Sequence, residues 1–246
     1  MKRARTKAAM VVLLWGFGVV WSPPRAVGQC CGDCNGDGQV TIDEILKAVN
    51  RALGGTCTSQ SGGQRFPATG QTSCWDPNGT VIACSGTGQD GQIQAGGALA
   101  YVDNGDGTIT DLNTHLMWEK KSADGSIHGW DNPYTWAGAF TTFIVGLNAG
   151  GGFAGHTDWR LPNVKELQGI INYQNVVPAV SAAFNANCAP GCTVTTCSCT
   201  QSGGYWSSTT YQLGPNSAWS VFFLDGGMNG NDKRDGLSVR AVRGGS

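Results

Sequence analysis

The chain has 246 residues, of which 16 are Lys or Arg and 17 are Asp or Glu, so its formal net charge is −1 at pH 7. Only 13% of the residues are charged, whereas 38 are glycine and nine are tryptophan. This composition is typical of a loop-rich globular β or α+β protein and excludes a helical bundle or a disordered chain. The lack of a basic excess argues against nucleic acid as a partner.

The first 28 residues have the three parts of a secretory signal peptide. Basic residues between Lys2 and Lys7 precede an apolar run over residues 8–21, and small residues follow at 26–28, the spacing of a cleavage site. The run is about 14 residues long, shorter than the roughly 20 that span a bilayer, so we predict cleavage; a retained anchor is the alternative. We therefore expect a protein that is secreted or held at the cell surface or in the periplasm, with no membrane span after cleavage.

The run D-C-N-G-D-G-Q-V-T-I-D-E, from Asp33 to Glu44, has the spacing of a twelve-residue calcium loop. Such a loop supplies oxygens from alternate side chains, a backbone carbonyl at its seventh place and a bidentate carboxylate at its twelfth. Gly38 at the sixth place allows the sharp turn, because glycine adopts positive φ freely. The predicted Ca²⁺ ligands are Asp33, Asn35, Asp37, Gln39, Thr41 and Glu44.

The alternative for this run is a metal-free turn ahead of a helix. Thr41 and Glu44 also form a capping box before an apolar stripe that begins at Ile45. A capping box does not explain the oxygen-bearing side chains at every second place before it, whose carboxylates repel one another without a cation. We therefore predict an EF-hand calcium module over residues 29–57, a linker over 58–66 and one large domain over 67–246.

Ten cysteines in an exported chain indicate disulfides. They fall into three groups with even numbers of members: Cys30, Cys31, Cys34 and Cys57; Cys74 and Cys84; and Cys188, Cys192, Cys197 and Cys199. Pairing within each group predicts a Cys74–Cys84 disulfide and leaves the other two groups open. Zinc is the alternative for the last group, although its spacing lacks the repeated C-x-x-C of a zinc ribbon.

Within residues 67–246 the pattern predicts short strands, two helices and further strands. The strands are expected at 81–83, 99–102, 108–110, 116–118, 205–208, 218–224 and 237–242. Apolar residues at helical spacing from Trp136 to Leu147 predict the first helix, and Asn163 caps a second that runs through Ile171. The run from Asp103 to Asp111 predicts a hairpin turn, because a second calcium loop would put Val102 at a ligand position.

Two segments resemble known families. The run from Gly32 to Leu53 resembles one repeat of a type I dockerin, an EF-hand loop followed by a single helix, although dockerins usually carry two repeats and often have Asp at the twelfth place. Residues 67–246 resemble the C-terminal domain family of the Legionella collagen-like adhesin. The matching runs include S-G-T-G-Q-D-G, D-N-G-D-G-T-I-T-D, L-M-W-E-K, H-T-D-W-R-L-P-N-V-K-E-L-Q, Y-W-S-S-T-T and V-R-A-V-R-G.

The second resemblance implies a C-type-lectin-like α+β fold, with two helices on a curled antiparallel sheet, and a role in adhesion. Relatives often carry one cysteine in the first helix and one in the last strand, where this chain has Ile144 and Ala241. Their joint replacement implies that an apolar contact stands in place of a disulfide.

The sequence shows no catalytic motif. His115, His128 and His156 are scattered without partner motifs, and we interpret them as structural or surface residues. Trp159 is expected in the core with Leu161, and Arg160 in a structural ion pair. We therefore predict that the protein is not an enzyme.

The candidate recognition surface lies between Trp206 and Arg234. Aromatic faces there can stack on sugar rings, and polar side chains can bind hydroxyl groups. The candidate ligand-binding residues are Trp206, Trp219, Asp225, Asn229, Asn231, Asp232, Lys233 and Arg234. The polar residues from Asp225 to Arg234 are predicted to form a polar turn between strands, and the alternative to a recognition surface is a solvated hairpin.

These observations favour an exported, calcium-binding, non-catalytic adhesion protein that recognises a glycan or another cell-surface ligand. A structural or assembly component, in which the calcium module binds a protein partner in a calcium-dependent manner, is the alternative.

Overall fold

The computed structural model describes residues 66–244 and the single position Ile45. The chain divides between Ser61 and Gly62 into two units, and the second is described below. The predicted signal peptide and calcium module lie outside the described residues, except Ile45, which is helical and exposed. The calcium ligands Asp33, Asn35, Asp37, Gln39, Thr41 and Glu44 therefore remain predictions.

The domain is α+β, with more sheet than helix, as expected from its composition. Its strands are β1 (Cys74–Trp75), β2 (Val81–Ile82), β3 (Tyr101–Asp103), β4 (Thr108–Asp111), β5 (Met117–Glu119), β6 (Gly204–Thr210), β7 (Ser217–Phe222), β8 (Met228–Asp232) and β9 (Val242–Arg243). Its helices are α1 (Asp90–Ile93), α2 (Trp136–Gly138), a π-helix (Ala139–Ile144), α3 (Val145–Asn148) and α4 (Val164–Gly169), with 3₁₀ turns at Ala149–Gly151 and Ala182–Phe184.

The strands form three antiparallel sheets. They are the pair β1-β2, the four-stranded sheet β3-β4-β5-β9 and the three-stranded sheet β6-β7-β8. The predicted hairpin at Asp103–Asp111 is confirmed, since Tyr101 pairs with Asp111 and the turn between them contains Gly105 at φ +77°. The last strand returns to the first part of the domain, where Val242 of β9 pairs with Trp118 of β5.

The first predicted helix is confirmed as a composite of α2, the π-helix and α3. The Thr135 side chain caps its start by accepting a hydrogen bond from the Gly138 N–H, and Phe143 and Leu147 are buried on its inner face. The helical chain then turns at Gly150, whose φ is +61°. The spacing of the apolar residues predicted this helix, but it did not predict the π-helical turn in its middle.

The second helix begins where Asn163 predicted. The Asn163 side chain accepts from the N–H groups of Lys165 and Glu166, and the Glu166 carboxylate accepts from the Asn163 N–H, completing a capping box. The same carboxylate binds the Arg160 guanidinium at 2.7 and 2.8 Å, which confirms the predicted structural ion pair. The helix ends at Gly169, two residues earlier than expected.

The three-stranded sheet separates two apolar clusters, because alternate residues of a strand point to opposite faces. Tyr205 and Val221 pair across β6 and β7 and belong to the first cluster, which also contains residues from α4. On the other face, Trp206 and Ala218 belong to the second cluster. Trp159 and Leu161 are core residues of this cluster, as expected, and Ile144 packs against the cluster, which also contains Ala241.

Two of the predicted elements are wrong. Residues 237–242 do not form one strand: only the end of this segment enters β9, while Leu237 and Ser238 make isolated bridges to Tyr134 and Tyr205. The segment predicted as a polar turn contains β8, which pairs with β7 over five residues. The sequence of β8, M-N-G-N-D, lacks β-branched and aromatic residues, so its strand conformation comes from pairing with β7 rather than from intrinsic preference.

Three disulfides are present among the described residues. The predicted Cys74–Cys84 bond is confirmed, and the last group pairs within itself as Cys188–Cys199 and Cys192–Cys197. The four sulfurs of that group therefore form two adjacent disulfides, and they are not zinc ligands in this structure.

A cluster of charged side chains is buried beside the second apolar cluster. Glu119 is fully buried, and its Oε1 accepts hydrogen bonds from Lys121 Nζ at 3.0 Å and from His128 Nδ1 at 2.8 Å. Its Oε2 accepts from the Ala241 N–H at 2.9 Å. The cluster gives His128 a structural role, as predicted. His115 and His156 lie elsewhere, in two separate turn segments.

The buried Arg240 guanidinium completes this cluster, which we call the Glu119 network. Arg240 donates to the carbonyl oxygens of Glu119 and Cys199, each at 2.9 Å, and to Thr200 Oγ1 at 2.8 Å. Burial alone would raise the pKa of Glu119, but the charge of Lys121 and the hydrogen bond from His128 outweigh it, so this pKa lies below its ordinary value. Glu119 is consequently an anion in the folded protein at neutral pH.

We expect Glu119→Gln to lower the free energy of unfolding by about 3–5 kcal/mol, because it leaves Lys121 buried without its counter-charge. Urea denaturation at pH 7 measures the loss. The control is Asp158→Asn, which removes a carboxylate paired with Arg243 at a mostly exposed position and should cost about 0–1 kcal/mol. Equal losses in the two variants would contradict the central role of Glu119.

The lowered pKa of Glu119 also predicts that the stability of the domain depends on pH. The pKa of Glu119 is lower in the folded than in the unfolded protein, so the unfolded state takes up the proton first. The contribution of ionised Glu119 to the stability of the folded protein is therefore complete above the pKa of about 4.3 in the unfolded state. This contribution is lost as the pH falls through the pKa in the folded state. Urea midpoints between pH 7 and pH 3 should fall less steeply in Glu119→Gln than in the wild-type protein.

Candidate functional site

The β7-β8 ribbon distributes the predicted ligand-binding residues over two faces. Directly paired residues share a face, and Trp219 pairs with Gly230 whereas Ser220 pairs with Asn229. We call the first surface the Trp219 face; it consists of Tyr211, Trp219, Gly230, Asp232 and Arg234. We call the second the Asn231 face; it consists of Trp136, Ser220, Asn229, Asn231 and Lys233.

Trp206 belongs to neither surface, which corrects its place among the candidates. The residue is fully buried in the second apolar cluster, and its Nε1 donates to the Tyr134 carbonyl oxygen at 2.8 Å. The three-stranded sheet is covered on both sides at this position, so a tryptophan on β6 points into the core. Its indole is not available for stacking on a ligand.

The Trp219 face carries two partly exposed aromatic rings. The centroids of Trp219 and Tyr211 are 4.9 Å apart, and their planes meet at 87°, an edge-to-face arrangement. Tyr211 packs over Gly230: a Cβ atom at that position would lie 3.2 Å from Tyr211 Cγ. The glycine therefore lets the tyrosine ring lie close to the strand. Tyr211 was missed from the sequence because it lies in the connection before β7 and only the β7-β8 register places it on this face.

A polar pair lies on the same face as the rings. Arg234 donates from Nε to Asp232 Oδ1 at 2.8 Å and from a terminal nitrogen to Oδ2 at 2.6 Å, while the Arg234 side chain is 87% exposed. Arg234 holds the pKa of the Asp232 carboxyl far below its usual range, so that this carboxylate is ionised at neutral pH. The bidentate contact fixes a planar array of hydrogen-bonding groups, part of which faces solvent.

The Asn231 face has most of its polar groups engaged within the fold. Ser220 donates to Asn231 Oδ1 at 2.7 Å. Lys233 Nζ donates to Thr210 Oγ1 and the Pro215 carbonyl oxygen, and it lies 4.0 Å from the centre of the Trp136 ring. These contacts connect β8 to the composite helix, so Lys233 acts as a structural residue. Asn229 is exposed on this face.

Asp225 lies apart from both faces, in the turn that joins β7 to β8. Its Oδ1 accepts from the Gly227 N–H at 2.9 Å. This contact stabilises the turn.

A separate cleft of about 810 Å³ lies beside α4. Its walls include Pro67, Leu116, Ile171 and Tyr173. None of the ligand-binding residues predicted from the sequence lies in this cleft, so the structure does not bring the candidate surface and the cleft together.

The geometry defines a disulfide-bonded α+β domain that presents aromatic rings and a charged pair on the outside of a sheet. Residues 107–243 match the model of the Lcl C-terminal domain, which covers more than half of the chain. The chain therefore belongs to the Lcl C-terminal domain family, which confirms the resemblance seen in the sequence. No curated protein matches the chain.

This family is adhesin-related and is not a known family of enzymes. Membership indicates an adhesin-like extracellular protein with a partner on a surface. The disulfides agree with an oxidising, extracellular environment. Across residues 66–244, no helix combines the length and apolarity that a membrane crossing requires.

Proposed function

We propose that this protein is an exported, calcium-binding, non-catalytic adhesin whose Trp219 face binds a glycan on a partner surface. The observation that carries this proposal is the position of two partly exposed rings, Trp219 and Tyr211, on the same sheet face as the Asp232–Arg234 pair, whose guanidinium is exposed. A sugar ring presents C–H groups on its flat sides and hydroxyl groups around its edge. Aromatic rings can stack on the C–H groups, and a fixed carboxylate and guanidinium can form hydrogen bonds with the hydroxyl groups.

The fold proposed for this activity is C-type-lectin-like. Support comes from the composite helix and α4, which lie against the two faces of the three-stranded sheet, and from the return of the C-terminal strand β9 to β5. The proposed sugar contact does not use calcium, because Asp232 is already paired with Arg234 and the sugar-binding signatures E-P-N and W-N-D are absent from the sequence.

Calcium belongs, in this proposal, to the N-terminal module. The spacing of Asp33, Asn35, Asp37 and Glu44 supports it, together with the carbonyl of Gln39 and the hydroxyl of Thr41. The bound ion would neutralise the adjacent carboxylates and order the loop ahead of the helix.

We expect Trp219→Ala to weaken glycan binding about tenfold, because one aromatic contact contributes about 0.5–1.5 kcal/mol and a factor of ten is about 1.4 kcal/mol. A glycan array with the full mature chain identifies the ligand, and titration calorimetry measures the affinity. Binding should be the same with and without EDTA.

The matched control is Leu213→Ala, which removes a side chain that is 88% exposed in the same β6–β7 connection as Tyr211. It should bind like the wild-type protein. Wild-type affinity in Trp219→Ala would rule out the Trp219 face, and a wild-type array without any binding would rule out the glycan function.

We expect calcium to increase the helical circular dichroism of the full mature chain and to release or take up heat in calorimetry. Asp33→Ala should abolish both signals because it removes a ligand, whereas Asp43→Ala, at the eleventh place of the same loop, should retain them. No response of the wild-type protein at millimolar Ca²⁺ would contradict the site. Calcium-dependent self-association that is lost in Asp33→Ala would favour the assembly function.

A further inference from the structure

The last four cysteines of the chain bring two disulfides into contact. Cys199 Sγ lies 3.8 Å from Cys192 Sγ and 3.9 Å from Cys197 Sγ, although Cys199 is bonded to Cys188. These distances are close to van der Waals contact. Cys199 therefore touches both sulfurs of the neighbouring Cys192–Cys197 bond.

The Cys188–Cys199 bond is exposed at one end only. Cys188 is exposed, whereas Cys199 is fully buried. A thiolate from solvent can therefore reach the sulfur of Cys188, and attack at that atom expels the sulfur of Cys199 into the interior. Exchange between a thiolate and a disulfide is faster when the expelled thiol has a low pKa.

The backbone of Cys199 contacts the Glu119 network. The Arg240 guanidinium donates to the Cys199 carbonyl oxygen at 2.9 Å, and the Lys121 carbonyl oxygen accepts from the Cys199 N–H. Lys121 and Arg240 are both buried and Glu119 is the one carboxylate of the network, so this network carries a positive excess. Arg240 Nε, moreover, is buried without a hydrogen-bond partner. Burial alone disfavours a thiolate, whereas nearby cations stabilise one, and the positive excess of the network opposes the effect of burial.

We propose that the Cys188–Cys199 disulfide is a site of covalent exchange with thiols, and that Cys188 is the residue that becomes modified. A thiolate R–S⁻ attacks Cys188 Sγ, a new R–S–S–Cys188 bond forms, and the Cys188–Cys199 bond breaks with its electron pair moving to Cys199. The step consumes no oxidant and no reductant. Its substrate is a thiol, either a small one in solution or a cysteine on a surface to which the protein adheres.

The neighbouring disulfide offers the released thiolate a second step. Cys199 attacks Cys192 Sγ, a Cys192–Cys199 bond forms, and the Cys192–Cys197 bond breaks to leave a thiolate on Cys197. The Cys199 thiolate is then no longer available to attack the new bond at Cys188 and reverse the modification. The two adjacent disulfides thus retain the adduct on Cys188.

The chain contains a matched control for this chemistry. The Cys74–Cys84 disulfide also joins a fully buried cysteine to a more accessible one, Cys84. Residues 70–95, however, contain no Lys or Arg, and no third cysteine. No Lys or Arg therefore adjoins this disulfide in the sequence, and it lacks the second sulfur pair of the proposed site. Its accessible cysteine, Cys84, is half-buried where Cys188 is exposed.

The test is incubation of the folded full mature chain with millimolar reduced glutathione at neutral pH, followed by acid quenching at set times and alkylation of free thiols. Mass spectrometry then locates the adducts after digestion with pepsin, because no Lys or Arg separates the four cysteines between Lys165 and Lys233. We expect the glutathione adduct on Cys188 to form at least about tenfold faster than one on Cys84. We also expect alkylation on Cys197 and a Cys192–Cys199 linkage. Equal rates at Cys188 and Cys84, or no adduct on Cys188, would overturn the proposal.

Two variants test the cause of the reactivity. Arg240→Gln should slow the reaction at Cys188 severalfold and leave Cys84 unchanged, and Arg240→Lys should restore much of the rate; near-UV circular dichroism reports whether each variant is folded. An unchanged rate in folded Arg240→Gln would refute the electrostatic explanation. Should that variant not fold, the double variant Cys192→Ser with Cys197→Ser decides: its adduct on Cys188 should disappear faster when glutathione is removed, and an equally persistent adduct would refute the second step.

Discussion

The buried carboxylate of Glu119 is the constraint on which the rest of the domain depends. It ends strand β5 and binds Lys121, His128 and the N–H of Ala241, so that one side chain connects an early strand to the C-terminal segment. Arg240 extends the connection to the carbonyl of Cys199 and hence to the disulfide region. An isolated ion in the interior would be costly, but here the charges are paired and hydrogen-bonded to the backbone, and each contact also fixes a chain crossing.

The C-terminal segment owes its position to these contacts. It bridges from Tyr205 of the three-stranded sheet at Ser238 to β5 of the four-stranded sheet at Val242, with Arg240 between them. The two sheets are thereby held around apolar clusters on both faces of β6-β7-β8. Because both faces of the sheet are covered by other elements at Trp206, this residue is buried. Trp219 and Tyr211 lie outside the covered part of the sheet and are partly exposed.

The proposed activities use different parts of this framework. Glycan binding rests on the outer end of the β7-β8 ribbon, whereas thiol exchange rests on a disulfide pair beside the Glu119 network. In both cases the interior fixes the group concerned: Gly230 lets Tyr211 pack beside Trp219, and Arg240 binds the backbone carbonyl of Cys199. Both proposals fit an adhesin-like extracellular protein.

Features that depend on local chemistry could be predicted from the order of the residues alone. The capping box at Asn163, the hairpin between Asp103 and Asp111 and the Cys74–Cys84 disulfide follow from short-range residue patterns, and ordered sequence runs identified the family. Which candidate residues share a surface depends instead on contacts between strands that are distant in the chain. The strand β8 forms because β7 pairs with it, and that register brings Gly230 and Tyr211 to Trp219, whereas packing on both faces of the sheet buries Trp206.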